Sequence, residues 1–218
     1  NIGVDLTGLG KYTVALPILE RSTQLLRRAL GEEHLLVSYA YDAVANCHMK
    51  LSHYPKAKSI FDRSRLIRTR VVGERHPSIA DSDEYQGRLD MTHGHYDAAL
   101  RCFDDATALR RETLSSVHPA VACSLQLTGE VLFYKSKFPE ARGTFERALK
   151  MRRTVLHAEH ADIIETAVWL GRLNEVAGKL DQASAIYERC LINMRNAMGS
   201  RHPTVAFILT LLGEVSNQ

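Results

Sequence analysis

No stretch of this 218-residue sequence approaches the roughly 20 consecutive apolar residues that a bilayer-spanning helix needs, so membrane insertion is not expected. No Lys/Arg run is dense enough to form a nucleic-acid tail, and the net charge of +3 is spread along the chain, so no nucleic-acid partner is expected. Cysteine is scarce. Cys47, Cys102, Cys123 and Cys190 are far apart and form no Cys-x-x-Cys, which predicts reduced, mostly buried thiols and a cytoplasmic protein. There is no Asn-x-Ser/Thr sequon. Glycine and proline are sparse, which leaves no flexible linker. The first residues, Asn-Ile-Gly-Val-Asp-Leu-Thr, include neither an initiator Met nor a basic-then-apolar leader, and predict a piece of a longer chain. Gly-x-Ser-x-Gly, a phosphate-cradling glycine loop and a dinucleotide glycine pattern are all missing. No catalytic residue and no cofactor is assigned, and the chain is not expected to be an enzyme.

What is present is a period. His34, His76, His118, His160 and His202 lie 42 residues apart, and Pro77, Pro119 and Pro203 follow three of them. The same spacing carries Tyr12, Tyr54, Tyr96, Phe138 and Leu180, and also Ala15, Ala57, Ala99, Ala141 and Ala183. It recurs in Leu19, Phe61, Phe103, Phe145 and Tyr187, and in Gly3, Ala45, Gly87, Gly129, Gly171 and Gly213. Several independent series at one spacing mean stacked supersecondary units. Within a unit the period is helical. Phe138, Ala141, Phe145, Ala148, Leu149 and Met151 recur at three- and four-residue steps with Arg and Lys between them.

The His-Pro step marks a helix start, where a missing N–H costs nothing. Gly31, Gly73 and Gly199 precede it, where a helix end favours a left-handed residue. The predicted elements are a helix over 11–30, pairs over 35–51 with 54–72, 77–93 with 96–114, 119–135 with 138–156 and 161–177 with 180–198, and a last helix from 203. Residues 1–8 read as the tail of another first helix. The repeats are then 1–30 (partial), 31–72, 73–114, 115–156, 157–198 and 199–218 (partial). Glycine inside a helix costs roughly 1 kcal/mol relative to Ala, so the glycine series predicts close approach of a neighbouring helix. The alanine series is expected opposite it, with the aromatic series plugging the gap between hairpins. Neither end shows a polar capping helix, and Val205-Ala-Phe-Ile-Leu-Thr-Leu-Leu212 is too apolar for a bare surface, so further repeats or a partner are expected beyond both ends.

The small-Gly, Ala, aromatic, Ala pattern across each pair resembles the tetratricopeptide repeat. The 42-residue unit, with its Arg-rich second helix and Gly-x-x-His-Pro connection, is similar to the kinesin light chain subtype, as in Phe138-Pro-Glu-Ala-Arg-Gly-Thr-Phe-Glu-Arg-Ala-Leu-Lys-Met-Arg. The resemblance implies an all-α, right-handed superhelical solenoid of antiparallel helix pairs, with first helices on the concave wall. That wall would present Tyr39, Asp42, Asn46, Asp81, Glu84, Arg88, Gln126, Glu130, Glu165, Trp169 and Arg172 to a peptide or protein partner. The paired asparagines typical of kinesin light chain first helices are absent; Asp42-Ala43, Glu84-Tyr85, Gln126-Leu127, Val168-Trp169 and Thr210-Leu211 hold those slots.

Asp81, Asp83, Glu84 and Asp90 suit a basic segment in the groove. The second helices carry net positive charge on Arg63, Arg65, Arg68 and Arg70 and on Arg142, Arg147, Lys150, Arg152 and Arg153. That convex face suits an acidic cytoskeletal surface, with cytoskeletal or ciliary association as the matching localisation. Three functional readings follow: an interaction scaffold using the concave face, a structural adaptor using the convex face and ends, and a regulatory repeat region of a larger enzyme. Arg88, Glu130, Arg172 and Glu214 alternate in sign at one slot and suggest an ion-pair ladder. Trp169 is either a ligand platform or a plug between repeats. The histidines recur once per repeat, so one metal ion could not collect them; no metal site is assigned.

Overall fold

The structure, a computed structural model, describes residues 2–217. Asn1 and Gln218, which the sequence places in the two terminal partial repeats, lie outside the described residues. Among the described residues there are eleven helices and no strand. They are α1 (Ile2–Gly8), α2 (Tyr12–Leu30), α3 (Leu35–Lys50), α4 (Tyr54–Val72), α5 (Pro77–Thr92), α6 (Tyr96–Thr113), α7 (Pro119–Tyr134), α8 (Phe138–Val155), α9 (Ala161–Val176), α10 (Leu180–Met198) and α11 (Pro203–Ser216). The boundaries match the periodic reading to within two residues.

The helices form two compact units. The first, residues 1–113, holds α1 to α6, and the second, residues 114–218, holds α7 to α11. Within each unit the helices pack mainly on their neighbours in sequence, most extensively within the pairs α3–α4, α5–α6, α7–α8 and α9–α10, as in a stacked array of hairpins.

The five loop histidines act alike. Each is an N-cap whose Nδ1 accepts the backbone N–H two residues on, at 3.1 Å for His34 and His118, 3.2 Å for His76 and His160, and 3.3 Å for His202. This satisfies one of the otherwise unpaired amides of the first turn. The residues before this step, Gly31, Gly73 and Gly199, have φ of 79° to 84°, but their ψ of 162° to 167° is extended rather than left-handed helical. Only glycine adopts that region without strain.

The glycine series does mark close approach, and the closing group is the aromatic ring of the same hairpin. A β-carbon at Gly87 would lie 2.6 Å from Phe103, one at Gly129 would lie 2.7 Å from Phe145, and one at Gly171 would overlap Tyr187. Leu19 plays this part for Gly3, while Gly213 meets nothing within 4 Å. The ring therefore fills the space that the alanine series was expected to fill. The alanines are nevertheless all fully buried. Complete burial of Phe103 and Phe145 contributes about 1.5–3 kcal/mol each.

Candidate functional site: the first-helix faces

In the first unit, α3 carries Tyr39, Asp42 and Asn46, and α5 carries Asp81, Glu84 and Arg88. These positions are three or four residues apart, so each set lies on one helix stripe. They do not share one environment. Tyr39 is exposed and Asn46, Asp81 and Arg88 are half-buried, but Asp42 and Glu84 are buried. The solvent-facing position expected for Asp42 and Glu84 gives way to a structural one, because an arginine from the second helix reaches each of them.

Arg68 of α4 is wholly buried. It donates to Asp42 through Nη2 and to Ser82 Oγ at 2.9 Å through Nη1. Its guanidinium also lies 4.9 Å from the centre of the Tyr39 ring. One repeat on, Arg110 donates to Glu84 Oε2 at 2.7 Å and to Asp81 Oδ1 at 2.6 Å. Arg88 donates to the other Glu84 oxygen at 2.9 Å from Nη2. Burial pushes both buried carboxyls up, but the outcomes differ. Asp42, opposed by a single cation, Arg68, and a hydrogen bond from Ser64, rises to about 6. At Glu84 the two cations Arg88 and Arg110 overcome burial and hold the carboxyl below its ordinary value.

In the second unit, α7 carries Gln126 and Glu130, and α9 carries Glu165, Trp169 and Arg172; all five are half-buried. The buried cation is Arg152 of α8, and its hydrogen-bond acceptors are neutral: the Gln126 side chain, the Thr166 hydroxyl and, at 2.8 Å, the Asp162 carbonyl, with the Asp162 carboxylate 3.8 Å from Nη2. Gln126 donates in turn to Glu130 at 3.0 Å. Trp169 stacks on Phe145, ring centres 5.6 Å apart, and meets Phe133 edge-on at 5.5 Å. Phe133 lies on α7 and Phe145 on α8, so the indole is a plug between hairpins. Arg172 covers it, with its guanidinium carbon 4.6 Å from the Trp169 ring and 4.8 Å from Phe133. Of the alternating-charge slot, Arg88 bonds Glu84 within its own helix and Arg172 lies on aromatic faces.

Sequence reasoning missed the arginine series as a buried feature. Its signal is present: Arg68, Arg110, Arg152 and Met194 share the 42-residue period, as do Asp42, Glu84, Gln126 and Val168. The residue at the second-helix slot changes from Arg to Met where the first-helix slot becomes Val. Met194, Val168 and Ile208 then form one apolar cluster.

The basic second-helix stripe is compensated in the first unit. Arg63 pairs with Glu32 at 2.9 Å, Arg70 with Glu33 at 2.6 Å, and Arg65 with Asp83. In the second unit Arg142 donates to Asn174 at 2.7 Å, while Arg147, Lys150 and Arg153 are exposed and form no ion pair among the described residues. Among the described residues no three His, Cys, Asp or Glu side chains are grouped to hold a metal ion, and no helix is long and apolar enough to cross a membrane.

The sequence pattern of the tetratricopeptide repeat family matches residues 1–64, 37–112 and 79–154. No curated protein matches the chain in sequence. Among solved structures, BtubC (BKLC) from P. vanneervenii is 17% identical over 97% of this chain and 82% of its own, with a TM-score of 0.70. The TPR-like repeats of a Podosopora anserina protein described as a kinesin light chain are 19% identical over 90% of this chain and 92% of their own, with a TM-score of 0.62. A Rap protein in complex with competence and sporulation factor is 14% identical over 98% of this chain and 62% of its own, with a TM-score of 0.75. At these identities the likeness is one of fold.

Proposed function

The chain belongs to the tetratricopeptide repeat family, and from that premise we propose that its first-helix faces hold a segment of a protein partner. Repeat arrays of this type serve generally as interaction scaffolds, not catalysts. One observation carries the reading. In each unit a buried arginine, Arg68, Arg110 or Arg152, ties the first helix from beneath, so the outward residues stand on a fixed base. Preorganisation of this kind lowers the ordering cost of binding. Tyr39, Asn46, Asp81 and Arg88 are the contact residues proposed in the first unit, and Glu165 and Arg172, the latter seated on Trp169, those in the second. Asp42, Glu84 and Gln126 support them. A Rap gene regulator of this fold, solved in complex with the Phr* peptide, lends support to a peptide as the partner class.

A basic segment remains the proposed character of the ligand opposite Asp81, whose side chain keeps 37% exposure beside Arg110. Asp81 is also paired with an arginine, but Asp83, Glu84 and Asp90 are only 17%, 11% and 18% exposed, which makes Asp81 the main contributor of that preference. The adaptor reading, with an acidic surface docking on the second helices, draws its support from the unpaired Arg147, Lys150 and Arg153 of the second unit.

Screening the chain against an immobilised peptide library tests the proposal. Peptides that bind the parent should lose at least about tenfold in affinity to Tyr39→Ser/Asn46→Ala or to Arg172→Ala, since anchors of this type carry most of an interface. Retention of every binder by both variants, with helicity unchanged, would discard the first-helix face as the site.

A further inference from the structure

A second surface lies on the other side of the second unit. Between the second helices α8 and α10 runs an open groove of about 310 Å³. Leu149 and Ile186 form its walls, Ala167 and Leu170 of α9 its floor, and Arg153 and Arg189 its rims. Both arginines are exposed, and neither has an ion-pair or hydrogen-bond partner among the described residues. Ile192, 59% exposed and one turn beyond Arg189, continues the apolar strip along α10. None of these residues belongs to the first-helix face described above.

The same positions 84 residues earlier show what the repeat does when this groove is not left open. There Arg65 stands for Leu149, Asp83 for Ala167, Cys102 for Ile186 and Asp105 for Arg189. Arg65 crosses to Asp83 as an ion pair, so the side chains at those positions are polar and paired with each other. In the second unit the crossing pair is replaced by two apolar residues, and the acid at the rim is replaced by a cation. The floor is thus apolar and the rim carries two unneutralised positive charges.

We propose that this groove docks an amphipathic helix of another protein, with aliphatic residues on the buried face and Asp or Glu flanking them. A groove between two helices takes the i, i+3, i+4, i+7 side chains of a third. A guanidinium on each rim favours carboxylates on both flanks, by bidentate contact where geometry allows. A lysine-flanked helix of the same apolar face would meet like charge at both rims.

The test titrates fluorescent synthetic helical peptides into the full chain and reads anisotropy. One peptide carries leucines at i, i+3, i+4 and i+7 with glutamates on the flanks; its twin carries lysines there. The glutamate peptide is expected to bind, to weaken as salt is raised, and to lose at least about tenfold in affinity to Arg153→Glu/Arg189→Glu. These two exposed, unpartnered side chains can be reversed without disturbing the fold, which circular dichroism checks. Tyr39→Ser/Asn46→Ala should bind the peptide as the parent does. Equal binding of the two peptides, no binding of the glutamate peptide, indifference to the double reversal, or loss in Tyr39→Ser/Asn46→Ala instead would each overturn the proposal. So would self-association of the chain, seen in sedimentation, that the double reversal abolishes, because the groove's occupant would then be a second copy.

Discussion

Arg68 shows how much depends on single side chains that solvent never reaches. Removing one partner of a buried ion pair leaves the other charge uncompensated, at a cost of about 3–5 kcal/mol. Arg68→Met should destabilise the first unit by that order. The loss should be smaller in mild acid, because Asp42, already raised to about 6 by burial with Arg68 opposing it, then protonates and sheds its charge. A carboxyl whose folded value lies above its unfolded one contributes stability at low pH that is lost as pH rises through the folded value. Met194, Val168 and Ile208 show the remedy at the equivalent positions. The combination Arg68→Met, Asp42→Val and Ser82→Ile should recover most of the stability in urea titration, and a combined loss as large as that of Arg68→Met would refute the equivalence. Glu84 has the opposite sign. Its carboxyl is held below 4.5 although burial opposes this, because Arg88 and Arg110 outweigh it. Its contribution is complete above the ordinary carboxylate range and is lost as pH falls through the lowered value. Glu84→Gln should therefore flatten the acid limb of the stability profile while lowering the neutral plateau.

At the scale of the helix, two devices recur and can be tested one by one. The histidine caps need an unprotonated Nδ1 to accept the N2 amide. Loss of such a cap costs about 1 kcal/mol, so His118→Ala should destabilise by that amount in thermal melts, whereas His118→Asn should keep the bond and nearly all the stability. Equal losses for the two would mean the ring packs rather than caps. The glycine slots differ in how far their neighbour can yield. The Tyr187 hydroxyl donates to Glu175 Oε2 at 2.9 Å, which fixes the ring that overlaps a β-carbon at Gly171. Phe103, facing Gly87, has no such tether. Gly171→Ala is predicted to cost about 1–3 kcal/mol, more than Gly87→Ala, even though Ala gains about 1 kcal/mol over Gly as a helix former. Ala45, clustered with Phe61 at the same slot, shows that a β-carbon can be accommodated where the ring stacks elsewhere, here on Tyr85 with ring centres 4.5 Å apart.

For the whole molecule, the division of charge between the units predicts how acid takes the structure apart. Glu84, whose lowered carboxyl gives up stability on protonation, and the buried His48 both lie in the first unit, where the raised Asp42 only partly offsets them. Burial first, then Lys56, lowers His48 from 6.5, so the unfolded chain takes up a proton that the folded one resists, and stability falls as pH drops through that value. In the second unit the buried Arg152 is hydrogen-bonded by neutral groups that do not titrate, and its carboxylate neighbour Asp162 stands off at 3.8 Å. Trp169, the single tryptophan, reports on the second unit alone. On acidification, helix loss by circular dichroism should begin before the Trp169 fluorescence changes. Coincident curves would show that the two units unfold as one.

How much of this could be read in advance depended on distance along the chain. The helices, their limits, the loop histidines and the glycine slots were legible because each depends on residues within a few positions: apolar spacing, a cap two residues from its amide, a proline at a first turn. The 42-residue period then implied stacking. Which polar residues face outward was not legible. Asp42 and Glu84 have the composition of a solvated stripe, and Trp169 could serve equally as a ligand platform or a plug. Each took its role from a side chain on another helix: Arg68, 26 residues from Asp42, Arg110, equally far from Glu84, and Phe145 beneath the indole. The amino-acid order by itself determined local backbone conformation and the repeat. Only the packing of helix on helix decided which charges are buried together, because the energy of a charge is set by what surrounds it in space.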